Sequence, residues 1–306
     1  MHAPVPSAYR KDAKTARDAS WSPELAALGR QLFHEKRLSR TGEVSCASCH
    51  RPELAFTDGK PVAEGVEGRR GMRNTPSIVN RSLGTTQFWD GRAKTLEEQA
   101  LGPIQNPLEM DMPVDRAVAL LNDDDDYRAQ FQALTGAPPT AQSLAAALAA
   151  YERSVWSVES AYDRYVAGDR SAMSASARRG MKLFNGRARC SECHSGSNFT
   201  DEKFHVLGVG TDPGRGGVTG KATDQGAFKT PSLRDLSRTA PYMHDGSMAT
   251  LDEVVEYYDR GGNPRPNLDH RMTPLRLSEQ DEEDLLAFLR ALDGNVVELD
   301  LPSRVN

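Results

Sequence analysis

The chain has 306 residues and a formal net charge of −5. This mildly acidic balance, without a long basic run, argues against a nucleic-acid partner. No segment approaches the roughly 20 consecutive apolar residues that a membrane-spanning helix needs. The length is sufficient for two domains of ordinary size, each with its own hydrophobic core.

A Cys-x-x-Cys-His pentapeptide occurs twice along the chain, and the two copies use all four cysteines. The residues of the two copies are Cys46, Cys49 and His50, and Cys190, Cys193 and His194. This spacing is typical of a covalently attached c-type haem, in which each thiol binds a vinyl group and the histidine ligates the iron. A zinc site would need further ligands, and a thioredoxin-like redox pair would need a βαβ context; the sequence indicates neither. We therefore predict two c-type haems.

Each pentapeptide has similar neighbours, which indicates an internal repeat. Gly29-x-x-Leu32-Phe33 precedes the first pentapeptide, and Phe56-Thr57-Asp58 follows it. Gly180-x-x-Leu183-Phe184 precedes the second, and Phe199-Thr200-Asp201 follows it. Two similar units of this kind are typical of a gene-duplicated pair of cytochrome-c-like domains.

Helical periodicity dominates the segment between the two pentapeptides. Apolar residues recur every three or four positions from Ser143 to Val166, which predicts one long helix that closes the first domain. Thr140 is the predicted N-cap of this helix. Farther along, Ser174 is predicted to cap the helix that leads into the second pentapeptide, and Ser278-x-x-Asp281 resembles a capping box.

These elements predict a mainly α fold, with two cytochrome-c-like haem domains, long loops and very little strand. The long loops are rich in Gly and Pro and cover residues 59–92 and 207–248. The predicted domains are residues 1–167, with the first haem, and residues 168–306, with the second. The boundary is expected in the stretch from Gly168 to Met173.

The expected location of the protein follows from its haems. Covalent haem attachment takes place outside the bacterial cytoplasm. The chain shows no charged-then-apolar secretory leader. We therefore expect a periplasmic protein whose signal peptide is not present in this chain.

Three further segments resemble the bacterial di-haem cytochrome c peroxidases, the superfamily that includes the MauG and MbnH enzymes. These segments are Arg73–Pro76, Phe88–Arg92 and Thr239–Gly246. The resemblance extends from Leu28 to Leu292. It implies that one haem reacts with hydrogen peroxide and that the other shares the oxidising equivalents.

The resemblance implies an open iron site on the first haem. In the peroxidases a histidine shortly after the first pentapeptide caps this iron, and Val66 occupies its place in the similar loop Gly65–Gly68. Valine cannot ligate iron, so we expect the His50 haem to be five-coordinate at rest. The alternative is a histidine from elsewhere, for which His34 and His205 are the candidates.

On the open face of this haem, Gln99, Pro103 and Glu109 match the distal residues of the family. Glu109 is expected to move the proton that peroxide cleavage requires, because a partly desolvated carboxylate can act as the base. Gln99 is expected to hydrogen-bond a bound oxygen, and Pro103 is expected to limit the size of the pocket.

The sixth ligand of the second haem is methionine in the di-haem peroxidases and tyrosine in MauG and MbnH. The capping box Thr250-x-x-Glu253 begins a short helix, and in the similar helix of the family the ligand position corresponds to Tyr258. Phenolate is a hard ligand that favours ferric and higher oxidation states. The alternative is that Tyr258 is an ordinary core residue and that Met243 or Met248 is the ligand.

Two further roles follow from the resemblance alone. Trp89 matches a tryptophan that lies between the haems and relays charge between the irons. Asn74, Thr239 and Pro241 match positions that bind Ca²⁺ through an amide side chain and backbone carbonyls, which are ligands that suit this ion.

Together these matches imply a di-haem peroxidase-family oxidoreductase that uses hydrogen peroxide to form a high-valent, bis-Fe(IV) state and oxidises tryptophan on a partner protein. MauG has a surface tryptophan where this chain has Ala188. This difference favours an MbnP-type copper-binding protein as the partner over methylamine dehydrogenase precursor.

Two alternatives remain at the level of the sequence. The first is a cytochrome c peroxidase that reduces hydrogen peroxide with electrons from a small cytochrome or cupredoxin. The second is an electron-transfer cytochrome, which predicts two six-coordinate irons and no reaction with peroxide.

Overall fold

A computed structural model describes residues 21–298 and Leu301. These residues are mostly helical, with four short strands that form two separate two-stranded sheets. The mainly α expectation with very little strand is therefore confirmed. The α-helices are α1 (Pro23–Phe33), α2 (Cys46–Cys49), α3 (Leu96–Gln105), α4 (Val114–Asp123), α5 (Asp125–Thr135), α6 (Ala141–Glu152), α7 (Ala161–Val166), α8 (Ala175–Asn185), α9 (Arg215–Thr219), α10 (Leu251–Asp259) and α11 (Glu279–Arg290). The strands are β1 (Val155–Val158), β2 (Phe204–Val206), β3 (Ala227–Lys229) and β4 (Asn295–Glu298).

The first half of the chain is built on a close crossing of α1 and α6. Gly29 of α1 lies at the crossing, where a Cβ atom would come 1.8 Å from the carbonyl oxygen of Ala147. Only glycine allows the two helix backbones to approach this closely. The predicted cap is present, because the Thr140 hydroxyl accepts a hydrogen bond from the backbone N–H of Ser143.

The second half repeats this arrangement with α8 and α11. A Cβ atom at Gly180 would lie 1.8 Å from the carbonyl oxygen of Asp284. Ser174 caps α8, and Ser278 forms the predicted capping box with Asp281 at the start of α11. The glycine of each sequence repeat therefore serves the same purpose, which is to let two helices cross next to a haem-attachment motif.

The single long helix expected from Ser143 to Val166 is wrong. Helix α6 ends at Glu152, the next residues form β1, and the chain becomes helical again only at α7. Strand β1 pairs antiparallel with β4, and Val155 lies opposite Glu298. The side chain of Asn80 also accepts a hydrogen bond from the β1 backbone at Ser157 (3.0 Å). These hydrogen-bond partners are distant in the sequence. They stabilise a strand here although the apolar residues of the segment are spaced as in a helix.

Two large hydrophobic clusters lie in the described residues, together with a small one formed by Trp156 and Val158. One contains buried residues between Leu25 and Val155, and the other contains buried residues between Met173 and Leu292. Leu301 packs in the first cluster, and β4 pairs with β1, so the end of the described chain returns to the first half. The division into residues 1–167 and 168–306 stays a prediction, and its outermost residues lie outside the described part.

The longest helices among the described residues, α6 and α11, have 12 residues each. None of the described helices has the length and apolar character needed to cross a membrane.

Candidate functional site: two haem-attachment motifs and the residues between them

Each motif histidine is oriented by a backbone carbonyl from the repeat that follows it. Nδ1 of His50 lies 2.9 Å from the carbonyl oxygen of Phe56, and Nδ1 of His194 lies 3.0 Å from that of Phe199. Both phenylalanines have left-handed backbones, with φ of 61° and 51°, which turn their carbonyls back to the imidazoles. When Nδ1–H donates this bond, the lone pair of Nε2 is available for iron.

Burial supports the same protonation state. Desolvation lowers the pKa of both His50 and His194, so each imidazole is neutral at physiological pH, as a metal ligand must be. The four motif cysteines are half-buried and carry free sulfurs. The donor set in both halves therefore fits a covalently attached haem.

The alternative histidine ligands are not well placed. His34 is exposed at the C-terminal end of α1. His205 belongs to the second half, where its two ring nitrogens lie 3.0 Å from a carboxylate oxygen of Asp201 and 2.8 Å from one of Asp269. Cys193, Asp201 and His205 form the one group of three potential metal-binding side chains in the described part of the chain. Both imidazole nitrogens are occupied there, so this group does not supply a ligand for the first haem.

The loop around Val66 packs directly against the Glu109 backbone. Val66 is fully buried, and its N–H donates to the carbonyl oxygen of Glu109 (2.8 Å). A Cβ atom at Gly65 would lie 2.3 Å from the carbonyl oxygens of Leu108 and Glu109. The Cys49 sulfur lies 3.8 Å from the carbonyl oxygen of Glu64 in the same loop. The loop therefore connects the haem-attachment motif to Glu109, with an apolar side chain at position 66.

Glu109 has the electrostatic environment of a base. Burial raises its pKa, whereas a hydrogen bond from Asn106 (2.6 Å) and the charge of Arg92 lower it. The carboxylate lies close enough to Cys46 and Cys49 to contribute to raising the pKa of both thiols. Glu109, Asn106 and Arg92 also line an open cavity of about 320 Å³. The carboxylate thus lies between the first haem motif and a route to solvent.

Gln99 and Pro103 lie four residues apart on α3, so their side chains share one face of the helix. The side-chain oxygen of Gln99 is buried, and no hydrogen-bond partner reaches it from the described residues. An orphaned buried amide oxygen is costly unless a ligand or water satisfies it. Thr95 caps α3, which holds this face in place.

Tyr257 and Tyr258, both on α10, have different surroundings. The Tyr257 hydroxyl donates to the carbonyl oxygen of Leu207 (2.8 Å) and accepts from the N–H of Asn263 (3.2 Å). The Tyr258 hydroxyl has no hydrogen-bond partner among the described residues. Burial raises the pKa of Tyr258, and Cys190 and Cys193 raise it further, which places the phenol beside the second haem motif.

Tyr257 is covered by a different part of the chain from the motif beside Tyr258. Tyr257 lies on a different side of α10, yet it is 1% exposed because the loop that carries Leu207 covers it. Met248, one of the alternative ligands, lines a different cavity together with Tyr257. Met243 precedes the buried His244 in a segment whose backbone contacts Asn74. Of these three candidate ligands, Tyr258 is the one whose pKa shows an interaction with the second motif among the described residues.

Trp89 lies where the two halves of the molecule meet. Its indole N–H donates to the carbonyl oxygen of Asn74 (2.9 Å), and its own carbonyl oxygen accepts from the N–H of Lys229 (2.8 Å). Sequence reasoning missed Lys229 and Asn106. A signal for Asn106 was available, because it lies three residues before Glu109 in a turn that its side chain can close.

The residues matched to Ca²⁺ are also near this meeting point. The N–H of Asn74 donates to the carbonyl oxygen of His244 (2.8 Å), and its side-chain N–H donates to that of Lys60 (2.8 Å). Among the described residues, no hydrogen-bond donor reaches the side-chain oxygen of Asn74 or the carbonyl oxygens of Thr239 and Pro241. Three oxygen acceptors are therefore available for a hard cation.

Comparison with known proteins agrees with these features. A family model described as di-haem cytochrome c peroxidase matches residues 23–171. MauG of Methylorubrum extorquens, a methylamine utilization protein, is 44% identical over 287 residues, covering 92% of this chain and 81% of the relative. Cytochrome c551 peroxidase of Nitrosomonas europaea is 33% identical over 291 residues, covering 91% of this chain and 83% of the relative. The crystal structure of a MauG-like protein associated with microbial copper homeostasis superposes with a TM-score of 0.84 at 35% identity, covering 90% of each chain.

Two attachment motifs, each beside a crossed pair of helices and each with a histidine ready for iron, define a di-haem c-type cytochrome. The chain belongs to the di-haem cytochrome c peroxidase and MauG family. It is an oxidoreductase of this family, and the family implies two c-type haems and the use of hydrogen peroxide.

Proposed function

We propose that this protein is a periplasmic MauG-like or MbnH-like enzyme that uses hydrogen peroxide to oxidise tryptophan on a partner protein. The observation that carries the proposal is a difference between the residues that lie near the two attachment motifs. A valine occupies the loop beside the first motif, and beside the second lies a phenol whose hydroxyl has no hydrogen-bond partner among the described residues. When the haems are bound, Val66 would leave the first iron open to peroxide, and Tyr258 would be the residue that ligates the second.

The haems, when bound, supply the peroxide chemistry and store the two oxidising equivalents. The protein residues supply proton transfer and positioning. Glu109, with its raised pKa, takes a proton from the inner peroxide oxygen and returns it to the outer one. Gln99 offers its buried amide as a hydrogen-bonding group, and Pro103, on the same face of α3, limits the volume there.

The second half stores charge because of the ligand it provides. Burial raises the pKa of the Tyr258 phenol, so its ionisation requires a Lewis acid such as ferric iron. The resulting phenolate favours high oxidation states of the iron. Trp89 connects the two halves through Asn74 on one side and Lys229 on the other. We infer that it relays electrons between the haems.

The partner is inferred from two observations. One solved structure similar to this chain is a MauG-like protein associated with microbial copper homeostasis. Ala188 occupies the position of the surface tryptophan that MauG uses, and it is buried in the second hydrophobic cluster. We therefore infer an MbnP-type copper-binding protein as the substrate, with methylamine dehydrogenase precursor as the less favoured partner.

We also propose a Ca²⁺ ion held by Asn74, Thr239 and Pro241 between the two halves. The three available oxygen acceptors support this proposal. Removal of calcium with a chelator should lower the thermal midpoint of the holoprotein, and added Ca²⁺ should restore it. A chelated protein with an unchanged midpoint and no calcium by elemental analysis of the original sample would contradict the assignment.

The main test adds stoichiometric hydrogen peroxide to the diferric holoprotein. The expected product is a high-valent state without a porphyrin radical in the electron paramagnetic resonance spectrum. Tyr258→Phe should abolish this state, because phenylalanine cannot ligate iron. Tyr257→Phe is the matched control and should retain it, because Tyr257 bonds only to backbone atoms. An unchanged high-valent state in Tyr258→Phe would overturn the ligand assignment.

A second candidate function is peroxide reduction with electrons from a small cytochrome or cupredoxin. It is favoured by the 33% identity to cytochrome c551 peroxidase of Nitrosomonas europaea. The two functions differ in their products. Incubation with peroxide and an MbnP-type protein should yield an oxidised tryptophan by mass spectrometry if the proposal is right. Fast peroxide turnover with a reduced small cytochrome, and no modified tryptophan, would favour the second candidate.

A further inference from the structure

The loop that carries Trp89 belongs to the first half of the chain, but charged residues of the second half hold it. The N–H of Lys229, in β3, donates to the carbonyl oxygen of Trp89 (2.8 Å). The Lys229 side chain donates to the carbonyl oxygen of Thr86, three residues before the tryptophan. Both ends of a four-residue segment are therefore attached to a single residue of the other half.

Glu202 of the second half provides two more contacts to the same loop. Its carboxylate accepts a hydrogen bond from the N–H of Thr85 (3.1 Å) and forms a salt bridge with Arg81 (2.8 Å). Arg81 in turn donates to the carbonyl oxygen of Thr86 (2.7 Å) and to the side chain of Gln87 (3.0 Å). The ammonium group of Lys229 lies 3.7 Å from Glu202 and completes the network.

The three charged side chains are buried. The side chains of Arg81, Glu202 and Lys229 are 12%, 10% and 7% exposed. Removing charges from water costs roughly as much free energy as their mutual attraction returns, so such a cluster adds little net stability. Its effect is geometric, because each buried donor and acceptor must keep its partner.

We propose that Arg81, Glu202 and Lys229 form an interdomain clamp that positions Trp89 between the two haems and so sets the rate of electron transfer between them. This inference rests on the relay role proposed for Trp89. In each transfer the indole gives one electron to the more oxidised haem and takes one from the other haem, so Trp89 ends unchanged. No proton moves, because the indole N–H keeps its bond to Asn74. Arg81, Glu202 and Lys229 are positioning residues and do not touch the reacting atoms.

The pKa of Lys229 reflects how the clamp is buried. Burial lowers the pKa of Lys229 to about 7, and the charge of Arg81 lowers it further. The carboxylates of Glu202 and Asp90 oppose this shift. The side chain stays buried although this lowers its pKa, because turning it to solvent would break its hydrogen bond to Thr86 and its contact with Glu202.

The test measures electron transfer between the haems directly. Carbon monoxide is bound to the half-reduced holoprotein and removed by a light flash, and the return of the electron between the haems is followed by absorbance. Lys229→Met keeps nearly the length of the side chain and removes its hydrogen bond to Thr86. Because displacements near 1 Å cost up to about 100-fold in rate, we expect the transfer to slow by about tenfold or more.

Two controls separate positioning from a general structural effect. Lys203→Met replaces an exposed lysine that precedes β2, and its transfer rate should match that of the unaltered protein. Lys229→Arg restores a cationic donor and should recover part of the rate. Haem content, thermal midpoint and both haem potentials should be unchanged in Lys229→Met. If that variant does not fold, Glu202→Gln provides the same test with a residue of nearly identical shape.

The outcomes distinguish this inference from the proposed function. If the unaltered protein forms no high-valent state with peroxide, the proposed function fails whatever the transfer rate is. If it forms that state and Lys229→Met transfers electrons as fast as Lys203→Met, the clamp is wrong and the proposed function stands. A slowed transfer that accompanies shifted haem potentials would also overturn the positioning role.

Discussion

The two haem units of this protein share a frame, which consists of the helix crossing, the attachment motif and the phenylalanine that follows it. They differ in the residues that surround this frame. Both have a glycine-mediated helix crossing before the motif and a left-handed phenylalanine after it, whose carbonyl orients the histidine. They differ in the residues that we propose to face the other side of each haem, which are a buried valine and a carboxylate in the first unit and a phenol in the second. Repetition therefore preserves haem attachment, whereas residues outside the repeat decide what each iron does.

The same contrast appears around the aspartate that ends each repeat. Asp58 accepts hydrogen bonds from the hydroxyl of Thr75 (2.9 Å) and the N–H of Lys60 (3.0 Å). Asp201 instead lies at the start of a chain of charged groups, through His205 to Asp269. Equivalent positions of a duplicated unit have thus acquired a neutral partner in one half and an ionisable partner in the other.

Gly29→Ala and Gly180→Ala should have the largest effect, because each tests the shared frame. A new Cβ atom would lie 1.8 Å from a backbone oxygen in both cases, so the helices must separate. We expect each substitution to lower the free energy of unfolding by more than about 3 kcal/mol. Denaturant unfolding of the holoprotein, followed at both haems, measures this loss.

Gly71→Ala is the control for this pair, because its Cβ atom would meet no atom closer than 3.6 Å. Gly29→Ala should disturb the first haem before the second, and Gly180→Ala the reverse. If either variant unfolds at the same denaturant concentration as Gly71→Ala, the close helix crossing at that glycine does not stabilise its haem unit.

Glu109→Gln tests the chemistry assigned to the first unit only. Loss of a positioned base should slow the reaction of the diferric protein with peroxide by about 10²–10⁴-fold in stopped-flow measurements. Burial raises the pKa of Glu109, and only the deprotonated form accepts a proton. The rate in the unaltered protein should therefore fall as the pH decreases through this raised pKa, and the variant should lack this dependence.

Glu98→Gln is the matched control, because Glu98 is exposed and lines the same cavity. Its rate and pH profile should equal those of the unaltered protein. Equal rates for Glu109→Gln and Glu98→Gln would remove Glu109 from the mechanism.

Val66→His would make the first unit resemble a capped peroxidase haem. If ligation by the new imidazole stabilises the closed iron site by only about 3 kcal/mol, the reaction of the diferric protein with peroxide should slow by about 100-fold. The spin state of the ferric haem, measured by electron paramagnetic resonance, should change from high to low. Val66→Ile should leave both properties unchanged. A histidine variant that remains high-spin would show that position 66 does not face the iron.

Glu152 provides the smallest expected effect and a further difference between the units. Both glycine crossings pack against an aromatic residue, Tyr151 or Phe288, and the next residue is Glu152 in one half and Leu289 in the other. Burial raises the pKa of Glu152 to about 8, so the folded protein retains a proton that the unfolded chain releases above pH 4.5. The free energy of unfolding should therefore decrease as pH rises, by about 2 kcal/mol between pH 5 and pH 7.

Glu152→Gln should flatten this dependence, because glutamine does not titrate, and thermal unfolding of the holoprotein at several pH values would show it. Substitution of the exposed Glu43 by Gln should leave the dependence in place. If the slope persists in Glu152→Gln, other groups titrate in this range.

Much of the haem frame was predictable from the sequence, because its signals are local. The two pentapeptides, the repeated glycine and the capping residues Thr140, Ser174 and Ser278 each depend on neighbours within a few positions. The candidate site was less predictable from the residues themselves. Glu109 and Tyr258 are unremarkable as isolated residues, and the resemblance to the family was needed to single them out.

The segment from Ser143 to Val166 shows where local reasoning failed. Its periodicity is helical, yet β1 forms there because β4 and Asn80, both distant in sequence, offer hydrogen bonds. Tyr257 likewise owes its burial to a distant segment, the loop that carries Leu207. In both cases the local sequence contains no signal for the distant partner.

The sequence by itself determined that the chain attaches two haems, repeats its haem frame and is mainly helical. Only the tertiary structure decided which phenol of α10 has no hydrogen-bond partner among the described residues, how Lys229 and Glu202 hold the Trp89 loop, and that a strand interrupts the long helix. The physical reason is the range of the interactions. Caps, glycine crossings and attachment motifs are encoded in short patterns, whereas burial and salt bridges depend on residues that folding brings together.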